Sequence, residues 1–154
     1  MENTHDKHEI LEAAIRQHET VIHDFQDGIK QRLQNEGKMN EEEYDQQTQA
    51  FNAETNDEVD HLSRQLEFAN RELEELRKMR LTIDEPHSAI QWGSVVKTDR
   101  ETFFVSASIE RFHVGEKPYF GLSIHTPLFL QMRGKKAGES FSYGKTTYSI
   151  LDVF

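Results

Sequence analysis

Apolar residues in the first part of the chain recur at alternating steps of four and three. Leu11, Ile15, His18, Ile22, Phe25 and Ile29 therefore fall on one stripe of a helix over residues of about 5–35. Asn3 or Thr4 is placed to cap its start. Val59, Leu62, Leu66, Ala69, Leu73 and Leu76 repeat the spacing as the a and d positions of a short heptad run. No Pro or Gly interrupts residues 38–85, and Gly28 costs the first helix only ~1 kcal/mol relative to Ala. Each stripe is narrow and needs a partner, and the nearest is the other helix folded back as an antiparallel coiled-coil hairpin. Gly37 in "NEGKMN" is the best turn signal, with Asn40 as cap of the second helix. At 1.5 Å per residue the hairpin would be roughly 45 Å long. Tyr44, Thr48, Phe51 and Thr55 make a poor seam, which leaves a second placement of the turn near "AETNDEVD".

Pro86 marks a change of texture, because a helix rarely runs into the residue before a proline. "SVVKT", "TFFVSASI", "YFGLSIH", "SFSY" and "TTYSILDVF" are β-branched and aromatic, with Gly, Pro, Asp and Lys between them. They predict a small antiparallel sheet of about five strands. "PLFLQMRG" predicts one covering helix, with Pro127 at its first position and Gly134 at its end. The fold class is α+β, with a hairpin over 1–85 and a sheet domain over 86–154. Phe103, Phe104, Phe120, Phe129, Phe141, Tyr143 and Tyr148 read mostly as core of the sheet, and Phe154 as its cap.

Composition supports two unlike halves. Apolar residues are 35% and charged residues 30% of the chain, lean for one compact globule but natural for long solvated helices. Residues 1–85 carry 10 basic and 22 acidic side chains, while residues 86–154 carry 8 and 6, so the net charge of −10 lies in the helical half. That half is unsuited to gripping a nucleic-acid backbone, so nucleic acid is expected only indirectly, through a protein partner. It suits a basic protein surface or the delivery of carboxylates to a metal. There is no cysteine, hence no disulfide frame and no thiolate metal site. "MENTHDKHEILEAAIRQ" lacks the apolar stretch of a secretory leader, and no run approaches the ~18 apolar residues of a membrane span. A cytoplasmic protein is expected.

Chemistry of an ordinary active site is not visible. His18 and His23 sit on different helix faces, His5 and His8 lie near the terminus, and there is no HExxH, so no metal is expected to bind the chain in isolation. No GxSxG, reactive thiol or phosphate loop is present. What stands out is "NEGKMNEEEYDQQ", which gathers Glu41, Glu42, Glu43 and Asp45 at the hairpin tip. Carboxylates bind Mg²⁺ well when a partner supplies the remaining oxygens. The plainer account is a solvated turn whose acids favour a helix N-terminus through the dipole.

"LSIHTPLFLQMRGKKAGESFSYGKTTYSILDVF" resembles the C-terminal domain of the Gre family (GreA/GreB), the bacterial transcript cleavage factors. The family pattern is Ser-x-x-Ser-Pro-aliphatic, a short helix, then Gly-Lys-x-x-Gly-Asp/Glu and a closing strand. Ser123, Thr126, Pro127, Leu128, Met132, Gly134, Lys135, Gly138 and Glu139 fill it, and "WGSVVKT" resembles the opening strand. The likeness covers about 60 residues, and the N-terminal half is similar in architecture more than in sequence. It implies an FKBP-like sheet domain that docks on RNA polymerase, with Pro127, Lys135 and Lys136 as candidate docking residues. It further implies a hairpin that enters the secondary channel, where an acidic tip helps to hold the polymerase's second Mg²⁺ for cleavage of backtracked RNA. The polymerase is then the enzyme, and this chain a non-catalytic factor and a monomer. The chain departs from the pattern at the tip. With "EEEY" set against the family's Asn-Ala-Glu-Tyr, its Asp falls on Gly37 and its Glu on Asn40. Glu36, Glu41, Glu42 or Asp45 would have to substitute.

Three readings follow. One is a Gre-like elongation factor, with cleavage or as a channel-occupying regulator without it. Another is a coiled-coil interaction module that buries Leu66, Leu73 and Leu76 between chains. A prolyl isomerase is the third, and it lacks an aromatic pocket signature.

Overall fold

The computed structural model describes residues 6–36 and 46–154, with side chains over 6–34 and 56–154. Helix α1 spans Lys7–Glu36 and α2 spans Gln46–Met79. Asp6 starts α1: its Oδ1 accepts the His8 N–H at 3.1 Å, and its carbonyl accepts the Ile10 N–H at 3.2 Å. Asn3 and Thr4, the expected caps, lie outside the described residues. Helix α2 runs straight through "AETNDEVD", which corrects the later placement of the turn. That stretch holds no Gly or Pro, and its acids fall at helical spacing. Gly37, Asn40 and the acidic stretch, on which the earlier placement of the turn rests, lie outside the described residues.

The chain divides into two compact units that do not follow the change of texture at Pro86. One comprises Met1–Gln17 with Leu73–Phe154, and the other His18–Glu72. In the 18–72 unit a His18 ring nitrogen lies 2.8 Å from the Ala69 carbonyl, and Arg32 Nε donates to Glu58 Oε2 at 2.8 Å. Early residues of α1 thus meet late residues of α2, so the two segments run in opposite directions. His18, Ile22 and Ala69 are buried, while Phe25, Ile29, Val59, Leu62 and Leu66 are only half-buried. A pair of helices gives each seam residue one neighbour and leaves its flank in water.

The other unit is built on a six-stranded sheet: β1 Val95–Thr98, β2 Thr102–Ser106, β3 Phe112–Val114, β4 Lys117–Ser123, β5 Ser140–Tyr143 and β6 Thr146–Val153. Strand order is β3-β4-β2-β1-β6-β5. The α+β class holds, but the sheet is mixed, not antiparallel, and has six strands. β2 pairs with β4 in parallel. The cause lies in the link between them. After β2 the chain crosses close over β4, where the Gly121 N–H donates to the Ile109 carbonyl at 3.0 Å. A Cβ at Gly121 would stand 2.6 Å from the Ala107 carbonyl oxygen, so only glycine admits the crossing. The β3–β4 hairpin then returns β4 in the direction of β2.

Each sheet face carries a packed apolar layer. On one, Ile90, Val96, Phe103, Val105, Leu122, Phe141, Ile150 and Val153 pack with Phe129 and Met132 of α3, which spans Pro127–Met132. Ile150 and Val153 reach this one core because the register slips between Lys97 and Thr98, leaving Leu151 as the extra residue of a bulge. On the other face lie Val95, Phe104 and Tyr119, each at most 1% exposed. Helical residues of the same unit close that side, with Ile83 from the turn after α2: the position of a Gly93 Cβ is 3.9 Å from Met79, and Ile10, Leu11, Leu76, Met79 and Ile83 are buried. Burial, and then the Glu9 carboxylate, push the Tyr119 phenol up to about 12.

Candidate functional site

The residues singled out by the sequence gather around α3 and the turn after it. Thr126 caps the helix: its Oγ1 accepts the Phe129 N–H at 3.3 Å and donates to the Ser123 carbonyl at 2.8 Å. Ser123 Oγ accepts the His125 N–H at 3.2 Å, and Pro127 takes the first helical position, where a missing N–H costs nothing. The helix ends as expected, with Gly134 at φ +77°. In "GKKAGE" the Glu139 N–H donates to the Lys136 carbonyl at 3.1 Å, and Glu139 Oε1 accepts the Lys136 N–H at 3.3 Å. Gly138, at φ +91°, donates its N–H to the Ile150 carbonyl at 2.9 Å. Every residue of the pattern that turns the chain thus has a conformational reason to be there.

What that scaffold presents outward is mixed. Leu130 is 64% exposed, one helical turn after the exposed Pro127, with Arg133 a further turn on. Lys136 is exposed and Lys135 half-exposed. The Lys135 carbonyl accepts the Ile90 N–H at 2.9 Å, and Gly134 donates to the Ile90 carbonyl at 3.0 Å. The backbone of the basic pair is therefore pinned while its side chains stay outside. Pro127, Lys135 and Lys136 belong to one helix and the turn that follows it. Glu41, Glu42, Glu43 and Asp45, the other candidates, lie outside the described residues.

Two further groupings have the ingredients of chemistry. A His87 ring nitrogen, Nδ1, lies 2.7 Å from Ser94 Oγ, as in an activated serine. Ser94 is fully buried, however, and its Oγ also accepts the Gln91 N–H at 3.0 Å. No substrate reaches it, and the pair fastens the 91–94 turn that leads into β1. Burial lowers the His87 pKa, aided by Lys7 and opposed by Glu85. The second grouping is a groove of about 350 Å³ lined by His8, Glu9, Glu12, Arg16 and Val114. Two of its charged groups, Glu12 and His8, already have partners. Arg80 donates to both Glu12 oxygens at 2.7 and 2.9 Å, and His8 lies 3.0 Å from Asp84.

Among the described residues the histidines do not converge. His18 is buried in the helical seam, whereas His23 is exposed and 3.3 Å from Asp27. Among the described residues no three His, Asp or Glu side chains are grouped to hold a metal ion. Nor is any helix among them long and apolar enough to cross a membrane. Sequence reasoning placed Phe120, Tyr143 and Tyr148 mostly in the core. Phe120 and Tyr148 are half-exposed and Tyr143 is 46% exposed. It also passed over Arg100 and Arg111, which lie on two of those rings. Compared with models of known protein families, with curated proteins and with solved structures, the chain matches none.

Proposed function

We propose that this protein is a Gre-like accessory factor of RNA polymerase. Its FKBP-like sheet unit docks at the rim of the secondary channel, and its helices form a coiled-coil hairpin that enters the channel to modulate elongation. The carrying observation is the pairing of two helices of 30 and 34 residues in opposite directions, ~45–50 Å each at 1.5 Å per residue. Their seam is too thinly buried to be a core in its own right. Supporting it is the cap and turn built by Ser123, Thr126, Pro127, Gly134, Gly138 and Glu139, the residues on which the Gre resemblance rests. In this reading the chain is a cytoplasmic monomer and has no active site of its own. The polymerase supplies the Mg²⁺ and the hydrolysis. Glu41, Glu42, Glu43 and Asp45 are the carboxylates available to assist, and Gly37 and Asn40 stand where the family has its two acids. A channel-occupying regulator without cleavage is therefore the second form of the same proposal.

The test is a backtracked elongation complex of the cognate polymerase with labelled RNA, Mg²⁺ and the purified protein. Shortened transcripts with wild type, and none with Glu41→Gln, Glu42→Gln, Glu43→Gln and Asp45→Asn combined, are the cleavage result. Protection of the complex against an authentic Gre factor, without cleavage, is the regulator result. Absence of binding overturns both. The interaction-module alternative is weakened by one feature: Leu73 and Leu76 are 6% and 1% exposed within a single chain. A seam between chains would have to be made without them.

A further inference from the structure

Helix α3 covers only one end of its sheet face. It follows the end of β4, packs against β5 at the opposite edge, and is tied at its close to Ile90. It therefore crosses above Val105, Leu122, Val96 and Phe141. The other end of this face, near the β1–β2 and β5–β6 turns, carries a row of rings. Phe120 on β4 lies 6.5 Å from Phe103 on β2. Phe103 reaches over β1, past the small Thr98, to Tyr148 on β6 at 6.0 Å, and Tyr148 stacks on Phe141 of β5 at 4.9 Å. Tyr143, two residues on from Phe141 and so on the same face, is 46% exposed.

A guanidinium lies over a ring toward each end of the row. Arg111 stands 5.4 Å from the Phe120 centroid and Arg100 5.9 Å from that of Tyr148. Both arginines are exposed. Arg100 Nε donates to the Thr147 carbonyl at 3.1 Å, and no carboxylate of the described residues pairs with either side chain. His113 projects to the same face, opposite Pro118. The helical residues of this unit close the opposite face, the Tyr119 side, so they leave this surface open.

We propose that this half-face is a docking surface for an acidic, partly apolar segment of another protein. The charge sets the class of partner. A guanidinium held near a ring without a carboxylate partner keeps N–H donors available for an incoming carboxylate. Tyr and Arg over a desolvated apolar floor are the residue types that dominate protein–protein contacts. A nucleic acid is the poorer fit, because two cations neutralise few phosphates and the rings already carry guanidiniums where bases would stack. The surface lies away from Pro127, Lys135 and Lys136, and it stands whether or not the polymerase proposal does.

The experiment uses the full-length, isotope-labelled protein and a short fluorescein-labelled peptide of alternating Glu and Leu. Controls are the same peptide with Gln for Glu, and oligouridylate. The expected result is salt-sensitive binding that shifts the amides of Phe120, Tyr143 and Tyr148 but not those of Val95 and Tyr119. Arg100→Gln with Arg111→Gln weakens it about tenfold or more, as does loss of the peptide's carboxylates. Arg111→Gln alone, which touches no backbone bond, weakens it in part and guards against a folding effect at Arg100. The proposal is overturned by any of four results. These are no binding up to millimolar peptide, binding indifferent to both variants, tighter binding of oligouridylate at the same amides, or self-association that disappears in the same variants.

Discussion

Adjacent residues in the sheet unit are buried on opposite sides. Val95 and Val96 are both fully buried, as are Phe104 and Val105, with Phe103 at 4% exposure. The middle of each central strand has a packed layer on both sides, so apolar residues follow one another there without alternation. In the 18–72 unit one stripe has one partner, and beyond His18, Ile22 and Ala69 the described seam residues stay half in water. The same residue types thus contribute unequally according to the number of layers around them. Local opening should follow that inequality, with amides of the helical unit exchanging well before those of β1 and β2.

Matched truncations put the comparison at risk. Leu76→Ala empties a site that is 1% exposed and should cost ~2–5 kcal/mol in urea unfolding. Leu62→Ala, on the same helix but in the half-buried seam, should cost roughly half as much, since part of its side chain already meets water. Equal costs would mean that something covers the seam in solution, and concentration-dependent stability would identify a second copy. Gly121→Ala comes next. Its Cβ would fall 2.6 Å from both the Ala107 carbonyl oxygen and Ile109 Cβ, so backbone must move, at about 3 kcal/mol. Gly28→Ala in the helical unit meets only side-chain atoms at 3.4 Å or more and should instead stabilise, by up to ~1 kcal/mol. A Gly121→Ala protein as stable as wild type would refute the close crossing.

Much of this was legible in the sequence. Helical periodicity found both helices, because Leu11, Ile15, Leu73 and Leu76 repeat at the one spacing that aligns them. Pro127 and Gly134 announced α3, because a first-turn proline and a left-handed glycine are local chemistry, while the Thr126 cap was not read from the sequence. The parallel pairing of β2 with β4 was not legible. It depends on a contact between Gly121 and residues 107–109, and an isolated glycine in a strand does not say what approaches it. The bulge at Leu151 escaped for a similar reason, since it shows only when two strands are set side by side. At the candidate surface, the aromatic strands were read as core because alternation gives a face, not its cover. Nothing local revealed that α3 would stop short of Phe120 and Tyr148.

Each unit holds a histidine through which burial ties stability to pH. Burial lowers the His18 pKa, against the opposing pull of its hydrogen bond to the Ala69 carbonyl. Glu72 stands 3.8 Å away, too far to outweigh the lost hydration. The folded state therefore holds the neutral ring where the unfolded chain, with a pKa of about 6.5, takes up a proton. Stability is complete above that value and falls as pH drops through it, until the folded ring protonates as well. The slope is at most ~1.4 kcal/mol per pH unit. Urea midpoints from about pH 8 to about pH 5 should fall less in His18→Gln than in wild type. His87→Gln serves as the matched control in the sheet unit, where burial acts with the same sign. A wild-type profile identical to that of His18→Gln would mean that the ring is hydrated and the seam open.

The smallest effect belongs to the exposed pair that ties the first helix to the end of the second. The Arg80 hydrogen bonds hold the Glu12 carboxyl below its usual range, with weaker help from Arg16 and His8. A depressed carboxyl pKa contributes stability above the unfolded value of ~4.3, and that contribution is lost as pH falls through the folded one. The Glu12 and Arg80 side chains are 39% and 45% exposed, so solvent screening leaves about 0.5 kcal/mol or less. Glu12→Gln should cost no more than that near neutral pH, and the difference should shrink in high salt. Arg80→Lys should cost the same, because a lysine cannot reproduce the two-pronged contact. A loss above ~1 kcal/mol in either variant, insensitive to salt, would be the signature of a buried pair. The groove bounded by His8, Glu9, Glu12, Arg16 and Val114 would then be closed in solution by something that binds there, and the search for a ligand would move to that side of the sheet.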